Sequence, residues 1–128
     1  MSSNLSTAPL LNTILLYARD PAASAAFYRT HFGFDTSGEM IEGLIELNAP
    51  DGGTQLLIHQ AAKSLRQGQA CVKLMFSVRD VDGFKERSAQ RGLAFGSTHQ
   101  ANGYRFANAK DPDGNSVAIS SLAYRQPG

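Results

Sequence analysis

The chain has 128 residues, 42% of them hydrophobic, which is enough for one compact core but too little for two independent domains of ordinary size. Its 12 lysines and arginines and 11 aspartates and glutamates leave a net charge of +1. No global field therefore favours nucleic acid, anionic membranes or acidic partners, and a small neutral or weakly charged molecule is the expected partner. The single cysteine, Cys71, excludes an intramolecular disulfide and cysteine-rich zinc sites, so we expect a cytoplasmic protein.

The start of the chain predicts no folded element. Residues 1–9 have neither a basic start nor a long apolar stretch, so we expect a flexible tail there and not a signal peptide. No apolar run approaches the roughly 20 residues that span a bilayer. The sequence thus predicts a soluble protein with no membrane partner.

The first half of the chain predicts a strand, a helix and then three strands. An apolar, β-compatible run covers residues 10–17, and Asp20 can cap a helix whose first turn holds Pro21. Gly33 supplies the left-handed end of that helix. Turn residues then separate three short segments that we interpret as strands, at 34–40, 41–48 and 55–59. The predicted order is βαβββ.

The second half repeats this pattern about sixty residues later. Residues 14–20 reappear as 74–80, Gly92 follows the second helix as Gly33 follows the first, and the Gly-rich turn of the first half has a counterpart at 111–114. The strands predicted for this half are 71–78, 95–98, 104–109 and 116–121. Three features in register indicate a duplication. We expect two curved four-stranded sheets, each with a helix on its outer face, and a core that both halves share.

These boundaries predict a single α+β domain over residues 10–124. Module 1 takes about residues 10–60, and module 2 takes about residues 71–122. The polar segment at about 61–70 lacks strand alternation and is interpreted as a linker, and residues 125–128 form a C-terminal tail.

Two segments resemble signatures of the vicinal oxygen chelate superfamily, which includes glyoxalase I, bleomycin-resistance proteins and extradiol dioxygenases. They are the helix segment at 25–34, with the sequence AAFYRTHFGF, and the turn Asp111-Pro112-Asp113-Gly114-Asn115. The resemblance covers roughly residues 10–122 and implies the superfamily's fold of two βαβββ modules. Each segment also has a purely structural account, as core anchors and as a tight turn, so it identifies a fold and leaves the reaction open.

The resemblance implies four metal-ligand positions, and this chain lacks suitable donors at all of them. The first-strand positions fall on Thr13 and Lys73, and the last-strand positions fall on Ala118 and on Leu57, or Ile58 with an offset of sixty. A hydroxyl, an ammonium group and two alkyl side chains do not hold a divalent cation, which needs several nitrogen or oxygen donors. We therefore expect no metal and no other cofactor, which disfavours glyoxalase-type isomerisation and ring-cleaving dioxygenation.

Alternation along the strands places two polar side chains in the predicted cavity. Lys73 lies in a half-apolar strand, where burial of an amine is costly unless the amine is paired or neutralised. It either anchors an anionic or carbonyl-bearing ligand or pairs with Glu46 or Glu42. His59 shares a face with Leu57 and is either a base or a partly exposed imidazole at a strand end.

Other polar residues have weaker claims to a functional role. Arg105 and Tyr104 can hold a carboxylate or stack on an aromatic ligand, with ordinary edge-strand packing as an equal alternative. His31 and His99 are expected to be solvated. Cys71 is expected to be a small buried hydrophobic residue, and a reactive thiol is the less favoured alternative.

The sequence favours a binding protein that encloses a small organic molecule, aromatic or amphipathic, between curved sheets and without metal. It resembles the drug-sequestering branch of the superfamily, whose members bind in grooves where two chains pair, and this resemblance implies a homodimer. The residues predicted to line the cavity are Thr13, Leu15, Tyr17, Leu57, His59, Lys73, Met75, Arg105, Ala118 and Ser120.

Two other functions remain open. One is a metal-dependent lyase, isomerase or dioxygenase of the same superfamily, with an altered ligand set such as His59 and Glu46 plus groups of a partner chain. The other is a bare scaffold or regulatory domain whose cavity would be plugged by Tyr17, Met75 and Phe106. Phosphate-binding loops and nucleophile elbows are absent from the sequence, so no catalytic residue is assigned.

Overall fold

A computed structural model of the chain describes residues 11–66, 68–69 and 72–126. The predicted tail at 1–9 and the predicted role of Cys71 lie outside these residues. The elements in chain order are β1 (Thr13–Ala18), α1 (Pro21–Phe32), β2 (Leu44–Leu47), β3 (Gln55–Gln60), β4 (Lys73–Ser77), α2 (Val81–Gln90), β5 (His99–Gln100), β6 (Arg105–Lys110), β7 (Ser116–Ser120) and a 3-10 turn at Leu122–Tyr124.

The strands form two mixed sheets, one for each module. The first has the order β1-β3-β2 and the second the order β4-β7-β6-β5. In both sheets the first strand of the module pairs in parallel with its last strand, and the remaining pairs are antiparallel. The predicted α+β fold of two modules is confirmed.

The prediction of four strands in the first sheet is wrong, because segment 34–40 forms only one bridge, between Asp35 and Asn48. Within this segment the Thr36 hydroxyl accepts a hydrogen bond from the Gly38 N–H at 3.0 Å. Such local bonds from a hydroxyl to the nearby backbone compete with a strand ladder. The Ser37 hydroxyl accepts in the same way from the next N–H, at 3.2 Å. The hydroxyl residues therefore favour a turn over a strand.

The two helices begin in the same way, as the internal repeat predicts. The Asp20 carboxylate accepts from the Ala23 N–H at 3.2 Å, and the Asp80 carboxylate accepts from the Gly83 N–H at 3.0 Å. Each aspartate satisfies a donor that the first turn of a helix leaves open. Gly33 ends α1 with a φ of 76° and donates its N–H to the last helical turn.

One hydrophobic core joins the two modules. Buried residues of β2 and β3 belong to the same cluster as Leu74 of β4 and Val117 of β7. Phe32 of α1 stacks on Phe76 of β4 with ring centroids 4.1 Å apart. The core therefore lies against one face of each sheet, and the opposite faces do not contribute to it.

Hydrogen bonds fasten α1 of module 1 to the turn between β6 and β7 of module 2. The buried Tyr28 hydroxyl donates to Asp111 at 2.8 Å, and the Ser24 hydroxyl donates to Asp113 at 3.0 Å. The Arg19 backbone N–H also donates to Asp113, at 3.1 Å. Burial, and next the negative charge of Asp111, raise the pKa of Tyr28, so its hydroxyl stays a neutral donor.

Candidate functional site

Five of the predicted cavity residues lie together on the first sheet, on the face away from the core. The parallel register sets Leu57 beside Leu15 and His59 beside Tyr17. The rings of Tyr17 and His59 have centroids 5.4 Å apart. Leu15 is 39% exposed and Tyr17 is 50% exposed. We call this surface, with Thr13 as its fifth member, the module 1 face.

His59 has a defined hydrogen-bonding role on the module 1 face. Its Nδ1 lies 2.8 Å from the Gln60 carbonyl oxygen, which can only accept, so Nδ1 carries the proton. The Nε2 of a neutral ring is then an acceptor. Glu46 shares the face, because β2 pairs it with Leu57, two positions along from the pair formed by Leu44 and His59.

Four more predicted residues lie together on the second sheet, again on the face away from the core. Met75 of β4 pairs with Ala118 of β7, and Ser120 lies two residues further along β7. Met75 is 49% exposed, whereas Ala118 and Ser120 are buried. With Lys73 they form a surface that we call the module 2 face.

Lys73 does not have the environment that the sequence suggests. Its side chain is exposed and not buried. Its Nζ donates to Asn108 Oδ1 at 2.9 Å and lies 5.6 Å from the centre of the Phe106 ring. The expected ion pair with Glu46 or Glu42 is not formed, and Asn108 takes that place. Sequence reasoning missed Asn108, although alternation along β6 from Phe106 would have found it.

Arg105 is a correction to the predicted set, because it lies on the opposite face of β6 from Phe106 and Asn108. Its Nη1 donates to Asp82 Oδ2 at 2.7 Å, and the Thr98 hydroxyl donates to Asp82 Oδ1 at 2.8 Å. The hydrogen bond from Thr98, and then that from Arg105, lower the pKa of Asp82. Arg105 thus ties α2 to its sheet.

The histidines outside the predicted set differ in exposure. His99 is exposed, as expected, although it lies in the short strand β5 and not in a turn. His31 is partly buried, which corrects the expectation that it is solvated. Its Nδ1 is buried and has no hydrogen-bond partner among the described residues. Burial, with the nearby charge of Arg91, lowers the pKa of His31.

The residues at the four superfamily ligand positions do not fit a metal ion. The strand registers make Leu57 the counterpart of Ala118, since each pairs with the third residue of its module's first strand. The Thr13 hydroxyl donates to the Asn12 side chain, and the amine of Lys73 is bonded to Asn108. Within the ranges that the structure describes, no three His, Asp or Glu side chains gather at a possible metal site.

A groove of about 1070 Å³ runs along β4. Its apolar wall includes Phe32, Phe34 and Phe76, and its rim includes Lys73 and Met75. Only these last two come from the predicted set. The other residues of the two faces do not line this groove.

The duplicated modules, here βαββ and βαβββ, are joined through α1 and the turn before β7 and define a class of proteins built from two such modules. The model of one family, the Glyoxalase/Bleomycin resistance protein/Dioxygenase superfamily, matches residues 10–119. The chain belongs to this superfamily, and the resemblance in its motifs is confirmed. No protein among those with curated functions matches it.

Solved structures with the same fold differ in what they are described to do. A lactoylglutathione lyase from Agrobacterium tumefaciens is 24% identical, with a TM-score of 0.71 over 94% of this chain and 100% of its own. TnmS3, an antibiotic binding protein from Streptomyces, is 21% identical, with a TM-score of 0.73 over 94% of this chain and 98% of its own. Both likenesses concern the fold. No helix in the described part of the chain is long and apolar enough to cross a membrane.

Proposed function

We propose that this protein binds a small aromatic or amphipathic organic molecule in a sheet-lined site, without a metal ion, in the cytoplasm. The observation that carries the proposal is the pair of open sheet faces. Each bears a large, half-exposed apolar side chain, Tyr17 on the module 1 face and Met75 on the module 2 face. Apolar side chains that are grouped on an exposed surface often mark a site where a ligand or another protein binds.

We infer that the site is completed in a homodimer. The core occupies the opposite side of both sheets, so the chain cannot use it to cover either face. A second copy related by two-fold symmetry can place its module 2 face over the module 1 face of the first copy, and the reverse. Both exposed faces then become the walls of two equivalent pockets.

The polar groups on these faces suggest the chemistry of the ligand. The Tyr17 ring is available for stacking on an aromatic group. On the other face, the Lys73 amine, oriented by Asn108, can donate to a carbonyl or carboxylate oxygen. The ligand class that suits both is an aromatic molecule with an acceptor oxygen at one end.

A direct test measures binding of the neutral dye Nile red by fluorescence. We expect wild-type protein to bind the dye with saturation, and Tyr17→Ala and Met75→Ala to weaken binding about tenfold each, since each removes a large apolar contact. Leu65→Ala is the matched control, because Leu65 is 41% exposed and belongs to neither face. Equal effects of all three substitutions, or no saturable binding by wild type, would refute the proposal.

A metal-dependent enzyme of the same superfamily is the second candidate. The observation in its favour is the free acceptor at His59 Nε2 with Glu46 on the same face. A partner chain would have to supply further donors. Metal analysis of protein purified without chelator decides between the two functions. Stoichiometric zinc, nickel, manganese or iron that is lost in His59→Ala would favour the enzyme, and metal-free protein that still binds Nile red would favour the binding function.

A further inference from the structure

A second cavity shares no lining residue with the two faces. It has a volume of about 550 Å³, within the usual range for small-molecule sites. It lies where β4 and β7 end, and its walls include Arg79 after β4, Ser121 after β7 and Arg125 further along. Among its described lining residues there are two arginines and no carboxylate. We propose that this cavity, the arginine cleft, binds a small oxyanion, a phosphate or carboxylate group of a ligand.

Contacts within the chain hold both arginines in place. The guanidinium carbon of Arg79 lies 4.1 Å from the centre of the Tyr124 ring. Stacking of this kind engages the flat face of the guanidinium and leaves the N–H groups at its edge available. Nη1 of Arg125 donates to the Asn102 carbonyl oxygen at 3.1 Å, and its guanidinium lies 5.9 Å from the Tyr104 ring. Its other N–H groups remain for a ligand.

The backbone at Gly103 makes room for Arg125. Gly103 has a φ of +79°, and a Cβ built at this position would lie 3.0 Å from Cδ of Arg125. A side chain here would be strained by the backbone and would push the arginine away. The position of Arg125 therefore depends on a glycine in the turn that precedes β6.

The internal repeat explains why the cleft exists in module 2. Gln60 pairs with Ala18 at the end of the first parallel register, and continuing the second register one residue beyond its last pair, Ser77 with Ser120, brings Ser121 to the equivalent position. The Gln60 side chain donates to the Arg19 carbonyl oxygen at 3.0 Å. The shorter Ser121 turns its hydroxyl to the Arg105 backbone N–H, at 3.0 Å. Module 2 thus has open space where module 1 has an amide.

Two guanidinium groups that line one cleft suit an oxyanion, because each can donate in parallel to two of its oxygens. The backbone N–H groups of Gly103 and Ser121 already donate to the carbonyl oxygens of Ala101 and Arg105, so the arginines are the donors offered to the anion. Because no described lining residue is an aspartate or glutamate, no residue of the cleft neutralises the charge of the two arginines. A phosphate ester and a carboxylate share this chemistry, so the experiment must distinguish them.

Amide NMR titrations with sodium phosphate and, separately, sodium benzoate test the proposal at constant ionic strength. We expect saturable shifts of the Gly103 and Ser121 amides with at least one anion and none with sodium chloride. The anion that binds more tightly identifies the ligand group. Arg79→Gln and Arg125→Gln should weaken binding by about tenfold or more, as expected for a charge-assisted pair of hydrogen bonds. Arg66→Gln, outside the cleft, should leave the affinity unchanged.

Ser121→Gln gives the most direct test, because it introduces the larger side chain that module 1 has at the equivalent position, Gln60, and keeps both arginines. We expect it to abolish the anion-induced shifts while the rest of the spectrum stays that of folded protein. The proposal is overturned if Ser121→Gln binds as wild type, if Arg66→Gln weakens binding equally, or if neither anion gives saturable shifts. Binding of neutral Nile red should be unaffected by Arg79→Gln, so this proposal and the proposed function can fail separately.

Discussion

The Tyr28 and Asp111 pair shows how one motif joins two parts of the chain that are far apart in sequence. Tyr28 is fully buried, and Asp111 is 5% exposed. Besides the tyrosine hydroxyl, Asp111 accepts from the backbone N–H groups of Asp113 and Asn115. A buried carboxylate is stable only when its oxygens are hydrogen-bonded, as these are. The aspartate therefore shapes its own turn and holds α1 at the same time.

Tyr28→Phe should destabilise the protein by about 1–3 kcal/mol, because it removes a donor from a buried carboxylate while preserving the ring packing. Urea unfolding followed by circular dichroism measures the change in the free energy of unfolding. Tyr104→Phe is the control, since its partly exposed side chain is not buried in the shared core. A loss in Tyr28→Phe no greater than that of the control would show that the hydroxyl bond does not stabilise the module junction.

At the scale of elements, periodicity and caps predict those parts of the fold that local chemistry controls. Helix α1 begins after Asp20 and ends before Gly33, as predicted, since both signals act within one helical turn. The strand predicted at 95–98 fails, and pairing occurs instead at His99–Gln100. Strand pairing depends on a partner that is distant in sequence, so the apolar character of a short segment does not decide it.

Arg105→Gln tests whether Arg105 holds α2 to its sheet or contributes to ligand binding. The substitution removes the 2.7 Å ion pair with Asp82, so the pKa of Asp82 should rise towards its ordinary value. Because the pair is exposed to solvent, the loss of stability should be small. NMR titration of the Asp82 carboxyl measures the first effect. The affinity for Nile red should not change. A tenfold loss of this affinity would show that Arg105 contributes to ligand binding after all.

At the scale of the whole molecule, the two modules share a sequence pattern but differ in their contacts with each other. Both modules have a capped helix and a parallel pair between first and last strands. Among the described residues, the turn before β7 is hydrogen-bonded to the helix of the other module, and no such bond joins the turn before β3 to α2. The shared core then covers one face of each sheet and leaves the other open. Those open faces are the reason to expect a second copy.

Leu15→Glu should convert the proposed homodimer to monomers, because a carboxylate would be buried where the two faces meet. Light scattering after size-exclusion chromatography measures the mass in solution, and circular dichroism checks the fold. Leu65→Glu introduces the same charge at a similarly exposed leucine outside both faces and should leave the dimer intact. Wild-type protein that is monomeric at all concentrations would contradict the dimer itself.

The sequence by itself determined the duplication, both helices and the superfamily, and it sorted nine of the ten predicted cavity residues onto the strand faces that lie away from the core. Period-two alternation suffices for this, since it sorts the side chains of a strand onto two faces without knowledge of the strand's partner. Tertiary structure alone decided that Arg105 faces α2, that Lys73 is exposed beside Asn108, and that segment 34–40 is not a strand. These three features depend on strand register and on which residues cover a surface. Register and coverage are set by residues that are distant in the chain.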